Sequence, residues 1–487
     1  MSLFYNLSLG GQALLSNKRA IDLTNKNISN VFTDGYSRKI PIFTDVPTGG
    51  VNLETVKRAY DEILFQKVIN TNQALVSDEN YEDLLTQIEA IFNDIQGSGF
   101  STALNDFFNA FHQVSLNPND MAARYDAITK AKQLVGRIRN SYENIEKTQD
   151  YITFSLKDQI NKLNSLVSQL ANINESIKLS PEEKKLQYLD ERDRIIKEIS
   201  SYIDTKVILR EDGTADLFTS KGFSLVVYNK AHQLKVMPPS NIENQNEITI
   251  RWEGVDLTEE FTNGKIGGFI RGYKFIKNVK ADLNDFASLL ALTVNKIHRQ
   301  GYDLNGNTNI DFFAIDPSSS KTNIDASNIS LAFEKPEKIA AALDPTLTNS
   351  DNRNIKKLIQ LKDSITGVLT ATEESILLSG GEITLGSINY KINSPSNYNL
   401  LKDRNIAELY NTSFTTKIGF ELETVKKSKE HNKFLFEAAD QQYKEKSSVN
   451  MDEELINLTK LQRAYQAAAR IINITDELIE TVLNLGT

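Results

Sequence analysis

Residues equipped for chemistry are sparse in this 487-residue chain. Asp303, Asn305, Asn307, Asn309 and Asp311 put oxygen-bearing side chains at alternate positions, the spacing with which a calcium loop opens. The pattern then fails: Thr308 stands where the sharp turn needs glycine, and Ala314 where the bidentate glutamate belongs. An Asx-rich turn is expected there. Gly264-Lys265-Ile266-Gly267-Gly268 precedes a helical stretch but lacks the GxGxxG or GxxxxGK[ST] spacing that cradles phosphate. It reads as a helix start packed closely on a neighbour. The four histidines, His112, His232, His298 and His431, lie far apart and form no HExxH pair. The absence of cysteine excludes disulfides, thiolate zinc sites, iron–sulfur clusters and cysteine nucleophiles. Glu182-Glu183-Lys184-Lys185 and Glu191-Arg192-Asp193-Arg194 read as a solvated helix face. No catalytic, cofactor-binding or metal residue is assigned, and no enzyme is expected.

Composition narrows the classes further. Lys and Arg number 55 against 64 Asp and Glu, a net charge of −9. That argues against a nucleic-acid binder, whose affinity comes from neutralising phosphates, and against a polybasic membrane anchor. Mean hydropathy is −0.36, and no run approaches 18 apolar residues, so no membrane insertion is expected. The first basic residue is Lys18, so the N-terminus lacks the positive region of a secretory signal. The length corresponds to about three domains at roughly 100–200 residues each.

The elements that carry these residues are mainly helical. Leu7, Leu14, Ile21 and Ile28 recur every seven residues, as do Met451, Leu458, Tyr465, Ile472 and Ile479. A companion row, Leu461, Ala468, Thr475 and Val482, follows the second seam, giving an a/d-like pattern. Gly10-Gly11 interrupts the first seam at roughly 1 kcal/mol per glycine, so that helix needs a partner. Alternation over about 38–57 predicts a hairpin turned at Gly49-Gly50, and residues 202–260 read as strands. Ser180-Pro181-Glu182-Glu183 predicts a capped helix start. A patch at 373–398 reads as a hairpin turned at Ser379-Gly380-Gly381. The rest is helix or loop, giving a mainly α fold with small β modules. The expected domains are 1–60 with 447–487, a helical core of 61–201 with 262–446, an inserted β module at 202–261, and the small insertion at 373–398.

Asn27-Ile28-Ser29-Asn30, followed by Thr33-Asp34-Gly35-Tyr36-Ser37-Arg38, resembles the N-terminal signature of bacterial flagellar rod, hook and hook-associated proteins. Asn27, Ile28, Asn30, Gly35, Tyr36 and Arg38 carry that likeness. Val449 to Glu454, running on to Leu461-Gln462-Arg463-Ala464-Tyr465, resembles the same group's C-terminal signature. The middle, from Phe286 through Val294-Asn295-Lys296-Ile297-His298 and Gly301 to Gly306 to Asp311-Phe312-Phe313, is similar to the hook-associated protein 1 family of hook–filament junction proteins. Pro336 to Ala342 and Asp351-Asn352-Arg353-Asn354 also match that pattern. Ala314 to Lys335 is short where larger members carry outward β domains.

The resemblance implies a structural protein without a cofactor. It implies paired terminal coiled-coil helices in the inner wall of a tube, an elongated helical-bundle domain and an outward β subdomain. The two heptad seams would then be the assembly seam. The implied partners are further copies in a helical ring, hook protein, the second hook–filament junction protein, and a cytoplasmic export chaperone on the C-terminal helix. The implied location is the extracellular flagellum, after cytoplasmic synthesis and flagellar type III export. Another axial protein of the rod or hook type, or a type III-secreted coiled-coil adhesin or translocator, stays open at this point.

Overall fold

The computed structural model describes residues 3–45, 51–92, 99–238, 247–394, 397 and 405–485. It is mainly α with small antiparallel β modules. Helix α1 (Leu3–Ser29) leads into the hairpin β1 (Lys39–Asp45) and β2 (Val51–Arg58). The expected Gly49-Gly50 turn lies outside the described residues. Helices α2 (Glu62–Phe92), α3 (Phe100–Leu116), α4 (Met121–Leu179) and α5 (Glu182–Ser200) follow. The Asp120 carboxylate accepts the Ala122 N–H at 2.8 Å and so starts α4 after Pro118. The start of α5 differs from the sequence reading. Pro181, not Ser180, is the N-cap residue, with no side-chain cap bond, and the Glu183 side chain lies outside the described residues.

The β module is two antiparallel sheets. One orders β3 (Thr205–Leu209), β4 (Ala215–Thr219), β5 (Ser224–Val227) and β6 (Lys230–Ala231). The other orders β7 (Leu234–Met237), β8 (Thr249–Trp252) and β9 (Val255–Asp256). Helix α6 (Gly264–His298) leaves the module through glycines that no other residue could replace without movement. Gly264 has φ +70°, and a Cβ there would lie 2.4 Å from the Tyr202 carbonyl carbon.

The remaining elements are β10 (Phe313–Ile315), β11 (Ile329–Leu331), α7 (Arg353–Gln360), α8 (Ala371–Leu378), β12 (Glu382–Leu385), β13 (Ile388–Lys391), α9 (Ile406–Tyr410), α10 (Lys417–Ser447) and α11 (Met451–Leu485). Only the pair β10/β11 occupies the short Ala314 to Lys335 stretch.

Contacts divide the chain into two compact units. One holds 1–77, 157–267 and 429–487; the other holds 78–156 and 268–428. These boundaries differ from the expected ones and fall inside α2, α4, α6 and α10. Helices of 31, 59, 35 and 31 residues are at least ~45 Å long at about 1.5 Å per residue. Each therefore contributes to both units.

The second unit is built around aromatic rings. Phe100 stacks on Tyr410 at 4.4 Å, Phe92 on Phe414 at 4.6 Å, and Phe107 meets Phe111 edge to face at 4.8 Å. The 373–398 segment belongs to this unit and corrects the sequence reading. Gly380-Gly381 does not turn a hairpin; it ends α8. Gly380 has φ +74°, and the Gly381 N–H donates to the Ile376 carbonyl at 2.8 Å. The hairpin turns instead at Gly386-Ser387, between the paired Leu385 and Ile388. Its Ile383, Ile388 and Tyr390 are buried, so it is part of the core.

Candidate assembly site at the base of the terminal helices

Helices α1 and α11 lie side by side and antiparallel, Gly10 against Ile472 and Asn27 against Glu454. The contact face is small or polar: Gly10, Ala20, Thr24 and Asn27 on α1, and Glu454, Ala468 and Thr475 on α11. A Cβ on Gly10 would stand 2.7 Å from Ile472 Cγ1, so the missing side chain is what lets the helices approach. The nine seam residues, Leu7, Leu14, Ile21, Ile28, Met451, Leu458, Tyr465, Ile472 and Ile479, are only half-buried and flank this narrow line. Of the companion row, Ala468 and Thr475 are buried and Val482 is exposed.

At the base of the pair the signature residues converge. The Asn27 amide nitrogen donates to the Lys39 carbonyl at 2.9 Å and to Glu454 Oε2 at 3.0 Å. Its carbonyl accepts the Lys39 N–H at 3.0 Å and the Tyr36 hydroxyl at 2.9 Å. One buried side chain thereby ties the end of α1, the start of the hairpin and the first turn of α11. Arg38 completes the tie, donating from Nε to Glu454 Oε1 at 2.7 Å and from Nη1 to Glu453 at 3.0 Å. Gly35, at φ +77°, turns the loop so that its Cα faces the Arg194 side chain. Asn30 ends α1 by donating to the Lys26 carbonyl at 2.8 Å. Ile28 is half-buried and takes no part in the polar knot.

A charged cluster lies beneath. Asp190 on α5 pairs with Lys39 Nζ and with Arg58 Nε, the latter at 2.9 Å, and accepts the Ser37 hydroxyl at 2.5 Å. Asp193 pairs with Arg58 and, at 2.8 Å, with Arg192 Nε. Three cations thus share two carboxylates away from water. Burial pushes the Lys39 amine down to about 8, against the pull of Asp190. Burial, with Asp190 and Glu454 behind it, pushes the Tyr36 phenol up to about 12. Arg58 is held above its ordinary value because Asp193 and Asp190 outweigh its burial.

This corrects the reading of Glu191-Arg192-Asp193-Arg194 as a solvated face. Arg192 and Asp193 are buried; only Glu191 and Arg194 form a surface pair. The helical period carried the signal, since Asp193 shares a face with Leu189 and Ile196. The sequence reading does not single out Lys39, Arg58 or Asp190.

The central signature is a structural lock in the second unit. His298 is fully buried; its Nδ1 meets the Ile310 carbonyl at 2.7 Å and its Nε2 accepts the Ala340 N–H at 2.9 Å. That fixes the neutral tautomer, and burial pushes the imidazole down to about 4. Asn295 accepts the Phe312 and Phe313 N–H groups, both at 2.8 Å, and donates to the Phe313 carbonyl and the Tyr390 hydroxyl. Asp303 Oδ1 accepts the N–H groups of Asn305 and Asn307, both at 2.8 Å, closing an Asx turn. Among the described residues no group of three or more His, Cys, Asp or Glu is placed to hold a metal, and no helix is long and apolar enough to cross a membrane.

Residues 85–313 match the family model described as the flagellar hook-associated protein FlgK helical domain, and 440–485 match the flagellar basal body rod FlgEFG protein C-terminal model. Flagellar hook-associated protein 1 of Bacillus subtilis is 25% identical over 99% of this chain and 98% of its own. Its counterpart in Salmonella typhimurium is 22% identical over the full length of both. The solved flagellar hook junction protein FlgK of Burkholderia pseudomallei superposes with a TM-score of 0.50 at 21% identity, covering 56% of this chain and 66% of that one. That last likeness concerns the fold.

Proposed function

The chain belongs to the flagellar hook-associated protein 1 family, and we propose that it assembles with further copies of itself into the ring joining hook to filament. The family is one of structural flagellar components, not of enzymes. The observation that carries the self-assembly is the outer face of the terminal helix pair. Ile471, Ile474, Leu478 and Val482 follow one another along α11 at helical spacing, all exposed, with Phe4 and Leu15 exposed on α1. An apolar stripe of that length on a free surface marks an interface. The half-buried seam residues give it a firm backing. The hook protein and the second junction protein are the neighbours at the two ends of such a ring. Before export by the flagellar type III apparatus, a cytoplasmic chaperone covers the same stripe on α11. The working location is the extracellular flagellum.

Ile472 packs inside the chain's own helix pair, so its substitution confuses folding with assembly. Ile474, 57% exposed, separates them. A strain lacking the chain should shed filament subunits into the medium and fail to swim. The unaltered chain should restore both, and Ile474→Asp should restore neither, although the purified variant melts like the parent. Normal swimming with Ile474→Asp, or filaments retained without the chain, would overturn the reading.

A further inference from the structure

Phe32 is the most exposed large apolar residue described, at 95%. It does not sit on a loose loop. The Thr33 N–H donates to the Asn30 carbonyl at 2.9 Å, the Thr33 hydroxyl to Asn30 Oδ1 at 3.1 Å, and the Tyr36 N–H to the Thr33 carbonyl at 3.2 Å. Two successive turns, anchored by Tyr36 on Asn27, hold a bare phenyl ring in solvent. Fixing an aromatic side chain there gains nothing within the monomer, because it buries no area.

The same joint carries a hole. Between β1 and α11 lies a cavity of about 290 Å³ with Ile40, Pro41, Phe43 and Leu461 among its walls. Ile40 and Phe43 are still more than a third exposed. Lys460 stands at its lip and makes no ion pair among the described residues. Asp34, exposed two residues beyond Phe32, acts on the chain's own Lys444 only as a neighbouring charge. The knob thus brings an acid and the hole offers a base.

We propose that Phe32 of one copy fills the Ile40–Phe43–Leu461 hole of the next, with Asp34 against Lys460. The inference rests on the ring assembly argued above and names a contact within it. A larger groove of about 640 Å³ lies beside Phe32, but Thr33, Asp34, Gly35 and Tyr36 of the same loop wall it. That groove lies next to the knob's own loop and favours a two-fold exchange that closes at two copies, whereas a knob and a hole set apart on the surface can repeat head to tail, as a ring or helix requires.

The native chain has no cysteine, which makes the test direct. A tagged Phe32→Cys chain and an untagged Phe43→Cys chain are co-expressed in the strain lacking the parent, and isolated flagella are treated with a short bismaleimide. A tagged–untagged adduct is expected, and none when Phe43→Cys is replaced by Glu423→Cys. Phe32→Ala should melt like the parent yet swim poorly, and Asp34→Lys with Lys460→Asp should recover what either change alone loses. Absence of the adduct from flagella that contain both chains, or full swimming by Phe32→Ala, would overturn the contact and leave the ring reading intact. Absence of the unaltered chain from flagella would overturn both.

Discussion

Around Asn27 the packing is polar and charged; around His298 it is mainly aromatic. The first region joins segments more than 400 residues apart through one amide and one carboxylate, Asn27 and Glu454. The second closes over Phe107, Phe111, Phe286, Phe312 and Phe313, every ring buried. A core of rings is stabilised mainly by area removed from water and accepts many arrangements. A knot of charges and amides accepts few, because each unmet partner is costly. The terminal pair leaves its apolar stripe exposed, and polar specificity at its base holds one crossing without drawing on that stripe. The interior of the second unit only has to be stable.

The largest expected effect lies on the aromatic side. Replacing 382–391 by a Gly/Ser linker removes buried Ile383, Ile388 and Tyr390, each worth about 1.5–3 kcal/mol, and leaves Asn295 without its Tyr390 partner. A loss above roughly 5 kcal/mol is expected, close to the whole stability of an ordinary domain. Chemical denaturation should show the second unit unfolding first. A variant that melts like the parent would mean that the hairpin is a decoration after all.

On the charged side, Asp193→Ala leaves Arg58 with only Asp190 and leaves buried Arg192 without a carboxylate partner among the described residues. Breaking a buried pair from one side costs about 3–5 kcal/mol. Glu453→Ala, on an exposed partner of the same network, should fall within about 1 kcal/mol. Thermal denaturation of both variants measures the contrast, and equal effects would dissolve the distinction between cluster and rim.

Acid should reach the second unit through His298. Its folded pKa, about 4, lies below the ordinary 6.5. The contribution is therefore full above pH 6.5 and is lost as pH falls from there through 4, amounting to roughly 3 kcal/mol. The charged groups acting on the ring are Arg124, which holds its pKa down further, and Asp303, which opposes. His298→Gln should flatten the stability profile between pH 6.5 and 4 without touching the alkaline side. An unchanged acid slope would place the acid sensitivity elsewhere.

What the sequence revealed follows the same division. Helices, the β module and the Asx turn at Asp303 were legible because periodicity and turn chemistry are local. The signature residues Asn27, Tyr36 and Arg38 were legible as a pattern, but the meeting of Asn27 and Arg38 on Glu454 was not, because nothing local says which acid meets them. Asp193 was hidden in a charge run that resembles a surface, with Asp190 just before it, and only burial separates the two cases. Gly380-Gly381 misled because a helix stop and a hairpin turn both call for glycine at positive φ.

The smallest expected effect tests the one place where the polar pair depends on the absence of a side chain. Gly10 and Gly11 are adjacent in α1 and equally poor helix formers, yet their surroundings differ. A Cβ on Gly11 meets nothing within 4 Å, whereas one on Gly10 meets Ile472 Cγ1 at 2.7 Å. Gly11→Ala should therefore stabilise by about 1 kcal/mol through helix propensity alone. Gly10→Ala gains the same propensity but drives into a β-branched side chain whose χ1 is stiff, and overpacking of that kind costs about 1–3 kcal/mol. Its net effect should be neutral to destabilising. Ile472→Ala opens the space, so Gly10→Ala should become stabilising in that background, and the double-mutant cycle should return a favourable coupling near 1 kcal/mol or more. If Gly10→Ala and Gly11→Ala instead stabilise alike in the parent, the helices do not approach at Gly10, and the narrow small-residue contact between α1 and α11 is wrong.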